Sequence, residues 1–152
     1  MYYPYLRGKQ YELLALREFA HTLGKTDSKI FPIIEPVRKN KSSLVKAASV
    51  LSENDINFGI ILNPEFGECK SEILNFSGEI SDDTFSPTFI VNDNIAEIQS
   101  IIDDNGYRNV YLVISKGASV DVEELMAFVS SESVSGVLVD PARKGDVRPT
   151  GT

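Results

Sequence analysis

Phe58-Gly59-Ile60-Ile61-Leu62-Asn63 is apolar at every position until it stops on an amide. A strand with one wet face alternates apolar and polar residues, whereas a strand covered on both faces has no need to. The stretch therefore reads as a strand inside a parallel sheet, with its polar tip at the carboxyl end. Runs of the same kind lie to either side: the proline-interrupted YYPYL, then IFPIIEPV, TFIVND, VYLVIS and GVLVD. Segments of helical period separate them. Tyr11, Leu13, Leu14, Leu16, Ala20 and Leu23 form one apolar stripe, and Leu44, Val45, Ala48 and Leu51 a second. Ile95, Ile98, Ile101 and Ile102 form a third, opened by Asn94 with Glu97 and closed near Gly106. Val122, Leu125, Met126 and Val129 form a fourth, with Asp121 and Glu124 placed as a capping box. Only the segment from Phe66 to Thr84 lacks a clear pattern. It reads as a loop with one helical turn around Ile73 and Leu74.

Strand and helix alternating in this way predict repeated βα units and a parallel α/β sheet. Two architectures fit, a TIM-like (β/α) barrel and an open doubly wound sheet. About six units are present, whereas a closed barrel takes eight strands and roughly 250 residues. The final run leads straight into DPARKGDVRPTGT with no helix after it. The expectation is one α/β domain over 1–152, the N-terminal part of a longer, truncated barrel, with a protein partner as one way of completing it.

The bulk composition narrows function by exclusion. The 152 residues are 42% hydrophobic and 24% charged, as in a globular domain with a real core. A formal net charge of −7 disfavours broad binding to duplex DNA or anionic membrane, which require a wide positive surface. Cys69 and His21 are the only residues of their kinds, which removes disulfides, Cys or His metal clusters and Ser-His-Asp chemistry together. Cys69 reads as a buried or idle thiol and His21 as a surface or partly packed residue. No secretory leader or membrane-length apolar run occurs, so a cytoplasmic location without membrane contact is expected. No G-x-G-x-x-G follows a strand. LGKTDSK resembles the end of a phosphate loop but precedes a strand and lacks the first glycine. No cofactor is indicated. Glu35, Glu65, Asp93 and Asp140 have the oxygen chemistry of Mg²⁺ ligands, but their spacing is no metal motif, and no metal is expected.

Ligands in parallel α/β folds bind where the strands hand over to helices. Nine of the 15 Lys and Arg residues follow strands: Arg7, Lys9, Arg38, Lys39, Lys41, Lys116, Arg143, Lys144 and Arg148. The returning ends are acidic, as in SENDIN and IIDDNG. A basic rim on an acidic body predicts an anion site, for a phosphorylated small molecule or a nucleic-acid end. Arg7 and Lys9 flank Gly8, so their cations and the backbone N–H groups would contact the anion, supported by Lys116 and Arg143. Asn63, Asn92 and Asp140 end other strands and complete the ligand-binding set. Glu35 ends an apolar run between two prolines and is the acid/base candidate; the competing reading is a structural salt bridge to Arg7 or Lys116.

YYPYLRGKQYELLALREFA followed by IFPIIEPVRKN resembles the beta protein family of phages and bacteria. The likeness is carried by Tyr3 or Tyr5, Pro4, Leu6, Arg7, Lys9, Glu12, Ala15 and Leu16, and by Pro32, Ile33, Ile34, Glu35 and Pro36. It covers about the first quarter of the chain. Members are usually longer. The resemblance implies a barrel-like α/β fold and a phage- or mobile-element-associated protein acting in anti-phage defence. It assigns no activity and no catalytic residue. The alternative is a non-catalytic interaction or scaffold subunit of such an assembly, with the charged rim as its docking surface.

Overall fold

A computed structural model of the chain describes residues 2–23, 29–81, 83–115 and 119–140. The described elements alternate as expected: β1 (Tyr5–Leu6), α1 (Gln10–Leu23), β2 (Ile33–Ile34), α2 (Ser42–Glu53), β3 (Phe58–Ile61), β4 (Phe85–Val91), α3 (Ile95–Asn105), β5 (Val110–Ser115), α4 (Val122–Val129) and β6 (Val134–Asp140). Their order in the sheet is β1-β2-β3-β4-β5-β6, and every described pairing is parallel. A doubly wound sheet reverses its strand order at a switch point. This one does not, so the fold is α/β with the connectivity of a partial (β/α) barrel. The residues cluster into two compact units, Met1–Thr88 and Phe89–Thr152, divided within β4.

In the first unit, β1 and β2 are only two residues long, with Tyr5 opposite Ile33 and Leu6 opposite Ile34. Prolines explain the brevity, because Pro4, Pro32 and Pro36 have no N–H to give a ladder. The pairing continues outside the strands all the same. The Tyr2 N–H donates to the Lys29 carbonyl, Phe31 to Tyr2, Ile33 to Pro4, and Glu35 to Leu6 at 2.7 Å. β3 is buried at all four positions, which is why FGIILN carries no polar alternation. α1 and α2 pack against each other. α1 buries Leu13, Leu16 and Ala20, and α2 buries Leu44, Ala47, Ala48 and Leu51. Each Leu so covered contributes about 1.5–3 kcal/mol of transfer free energy. The α1 stripe is narrower than its period suggests: Leu14 is exposed, and Tyr11 is 83% exposed.

The second unit follows its capping signals in part. α3 buries Ile95, Ile98 and Ile102 and closes at Gly106 in the left-handed conformation. Asn94 occupies its N-cap position without capping: the Oδ1 accepts from the Asn92 N–H at 2.9 Å, and the Nδ2 donates to the Ile90 carbonyl. The amide closes the strand-to-helix turn instead. Asp121 does cap α4, its Oδ1 accepting from the Glu124 N–H at 3.1 Å. α4 buries Phe128 but leaves Val122 and Met126 exposed. The helical turn expected at Ile73 and Leu74 does not form. The turn lies earlier, at residues 68–71, and Leu74 is buried with its N–H donating to the Leu62 carbonyl at 2.7 Å.

Candidate functional site

β1, β2 and the loop after β3 meet at the Glu35 carboxylate, which is fully buried. Its Oε1 accepts from the Tyr5 hydroxyl at 2.7 Å and lies 3.6 Å from the Arg7 Nε; its Oε2 accepts from the Glu65 N–H at 2.8 Å. Burying a carboxylate is costly unless it is paired and hydrogen-bonded. Here three partners meet that need, Tyr5 and Arg7 from β1 and its end and Glu65 from the loop after β3. The Arg7 guanidinium also lies over the Phe66 ring, 4.0 Å from its centroid, in cation–π geometry. The Arg7 N–H donates to the Glu12 Oε1 at 2.8 Å, which ties β1 to the first turn of α1. Gly8 at φ +64° lets the chain turn between them. A Cβ there would stand 3.1 Å from the Glu35 carbonyl oxygen.

Beside this cluster, the loops after β2 and β3 are clamped together. The Glu68 N–H donates to the Val37 carbonyl, the Lys39 N–H donates to the Glu68 Oε1 at 2.9 Å, and the Cys69 thiol donates to the Arg38 carbonyl. Gly67, at φ +83°, presses on Val37 so closely that an added Cβ would lie 2.6 Å from its carbonyl oxygen. No L side chain fits that contact. Burial pushes the Cys69 thiol pKa up, in keeping with a closed structural position.

The clamp fixes one wall of a cleft of about 210 Å³ at the N-terminal ends of α1 and α2. Gly8, Gln10, Arg38, Lys41, Ser42 and Ser43 are among its lining residues, and no described Asp or Glu is. A second hollow of about 610 Å³ adjoins it, sharing Gln10, Val37 and Arg38 and adding Lys9, Tyr11, Gly67 and Glu68. Among the described residues, Lys9 and Arg38 have no side-chain hydrogen bond or ion pair, while the Lys41 Nζ donates to the Lys39 carbonyl. α2 begins in the cleft against the usual rules. Lys41 holds its N-cap position, no side chain caps it in that position, and its first turn contains no acid. Asn40 compensates in part, its Oδ1 accepting from the N–H and the hydroxyl of Ser42.

The structure thus separates the expected site residues. Arg7 and Glu35 come together as a pair, with Arg7 outside the linings of both hollows. Lys9 lines the larger hollow. Asn63 is half-buried after β3 in the same unit, and Asn92 belongs to the second unit. Asp140 ends β6 opposite Ser115. Lys116 and Arg143 lie outside the described residues. Arg38 and Lys41, counted among the cations that follow strands but left out of the ligand-binding set, enter the site, and Tyr11 enters it from the α1 stripe. A lysine where a helix wants Ser, Thr, Asp or Asn is the sequence signal that marks Lys41. Among the described residues, no group of three or more His, Cys, Asp or Glu side chains is placed to hold a metal ion. No described helix is long and apolar enough to cross a membrane.

Compared with models of protein families, with curated proteins and with solved structures, the chain gives no significant match.

Proposed function

We propose that this protein binds an anionic ligand, bearing phosphate or carboxylate, in the cleft at the carboxyl ends of β1 and β2. One observation carries the reading: in a chain of net charge −7, this concavity is lined by Arg38 and Lys41 and, among the described residues, by no carboxylate. The start of α2, without a side-chain cap at Lys41, adds N–H groups beyond the Ser42 N–H that Asn40 takes, and partial positive charge, on the same side. Lys9 supplies a further cation from the adjoining hollow. In this reading Arg7 is positioned by Glu35, Tyr5 and Phe66 at the edge of the site, and Glu35 holds Arg7 rather than moving a proton. The resemblance to the beta protein family supplies the setting, a phage- or mobile-element-associated role in anti-phage defence.

A calorimetric titration with inorganic phosphate, phosphorylated sugars, nucleotides and di- and tricarboxylates tests it. The expected result is saturable binding that Arg38→Ala weakens at least tenfold, about 1.4 kcal/mol. Absence of binding across that panel ends the reading. A second reading, a non-catalytic interaction subunit, is favoured by the full engagement of Glu35 and by the exposed Val122, Met126, Val137 and Val139 of the second unit.

A further inference from the structure

We infer that the ligand is a nucleoside 5′-monophosphate unit, with its phosphate in the smaller cleft and its base in the adjoining hollow against Tyr11. This inference rests on the anion-binding reading and extends it. The two hollows differ in size and in chemistry. Among the described residues, the smaller, about 210 Å³, has only cations, hydroxyls and amides as its polar side chains and suits a compact anion. The larger, about 610 Å³, falls in the range of small-molecule pockets and has room for a sugar and a base.

Its lining sets the kind of group it accepts. Tyr11 lies at the second position of α1, off the buried stripe, with its ring 83% exposed. A single exposed aromatic is ordinary. This one lines the same concavity as Arg38, and a ring and a guanidinium each offer a flat face on which a base can stack. Glu68 partly offsets Lys9 and Arg38 in this hollow, which disfavours a second phosphate there. The clamp orients its carboxylate through the Lys39 N–H at Oε1, which leaves Oε2 to accept from a base amino or imino group. Gln10 borders both hollows and offers an amide donor and acceptor. The pattern is therefore anion at one end and neutral, flat and hydrogen-bonding at the other. Free nucleotides and the 5′-phosphorylated ends of single strands share that chemistry.

The test compares inorganic phosphate, ribose 5-phosphate, the four nucleoside 5′-monophosphates and a tetranucleotide with and without its 5′-phosphate. At least one monophosphate is expected to bind about tenfold tighter than ribose 5-phosphate, the scale of base–aromatic stacking. Tyr11→Ala should weaken the monophosphate far more than ribose 5-phosphate and so remove that advantage, while Tyr11→Phe should retain it. Because Tyr11 is exposed, neither variant threatens the fold. A 5′-phosphorylated tetranucleotide that binds more tightly than the mononucleotides identifies a strand end as the source; the reverse identifies the free nucleotide. Equal binding of ribose 5-phosphate and all four monophosphates overturns the inference and leaves the anion reading standing. If no phosphate compound binds, the inference falls, and the anion reading falls with it only if the di- and tricarboxylates fail to bind as well.

Discussion

At the scale of single residues, Glu35 and Arg7 show how a signature carboxylate can be structural. Glu35 reads from the sequence as pointing into the strand-end mouth, because it closes an apolar run between two prolines. The side chain is buried there, and both oxygens are taken up by Tyr5, Arg7 and Glu65. Glu35→Gln replaces an acceptor with a donor facing Arg7 or the Glu65 N–H. It should cost about 1–3 kcal/mol, the range for a buried polar group left unsatisfied. Arg7→Ala should destabilise as well, and the double variant should lose less than the sum. Urea denaturation of the three variants measures this. A fully stable Glu35→Gln would remove the strut role and return Glu35 to acid/base candidacy. Cys69 yields a second expectation. Its thiol pKa is raised by burial, so the folded state keeps the proton that the unfolded chain begins to release near the ordinary value of 9.0. The stability it contributes is complete below that pH and declines as pH rises through the folded value. Thiol labelling in the native state should accordingly be slow at pH 8 and become fast on unfolding; fast native labelling would refute a closed position.

At the scale of elements, the start of α2 is where the local rules are broken. α4 has Asp121 capping its first turn, and α3 and α1 have Glu97 and Glu12 in theirs. α2 has Lys41 instead, with Arg38 beside it in the cleft lining. Departures of this kind are expected at functional sites, where local stability gives way to binding. Lys41→Asp should therefore raise stability by about 1 kcal/mol, from a better cap and a better charge at the helix start. The same change should weaken anion binding at least tenfold. Thermal unfolding and titration on one preparation check both halves. A variant that is more stable and binds as well as before would show that the lysine serves no ligand. The loop clamp was harder to read in advance. Gly67, Glu68 and Cys69 carry no local pattern, and only their contacts with Val37, Arg38 and Lys39 give them a role.

At the scale of the molecule, exposure is uneven along the sheet. β3 and β4 are buried at every position, whereas β6 leaves Val137 39% and Val139 66% exposed. Native-state hydrogen exchange should show Phe58–Ile61 opening only with global unfolding and β6 opening well below that limit. Protection of β6 that grows with protein concentration would instead indicate association through that strand and favour the interaction reading. The order of elements needed no coordinates. FGIILN, VYLVIS and their neighbours are apolar without alternation, and that property belongs to each segment alone. Helix ends at Gly106 and Asp121 were legible for the same reason, since a cap is made by residues a few positions apart. The sequence by itself therefore determined a parallel α/β chain with cations after its first two strands. Tertiary structure decided which of those charges are neutralised and which face a cleft. Arg7 meets Glu35, and Arg38 meets open space, because pairing depends on distances between segments some thirty residues apart along the chain, such as Tyr5 and Glu35. No local pattern encodes those distances; only the packing of β1, β2 and the loop after β3 sets them.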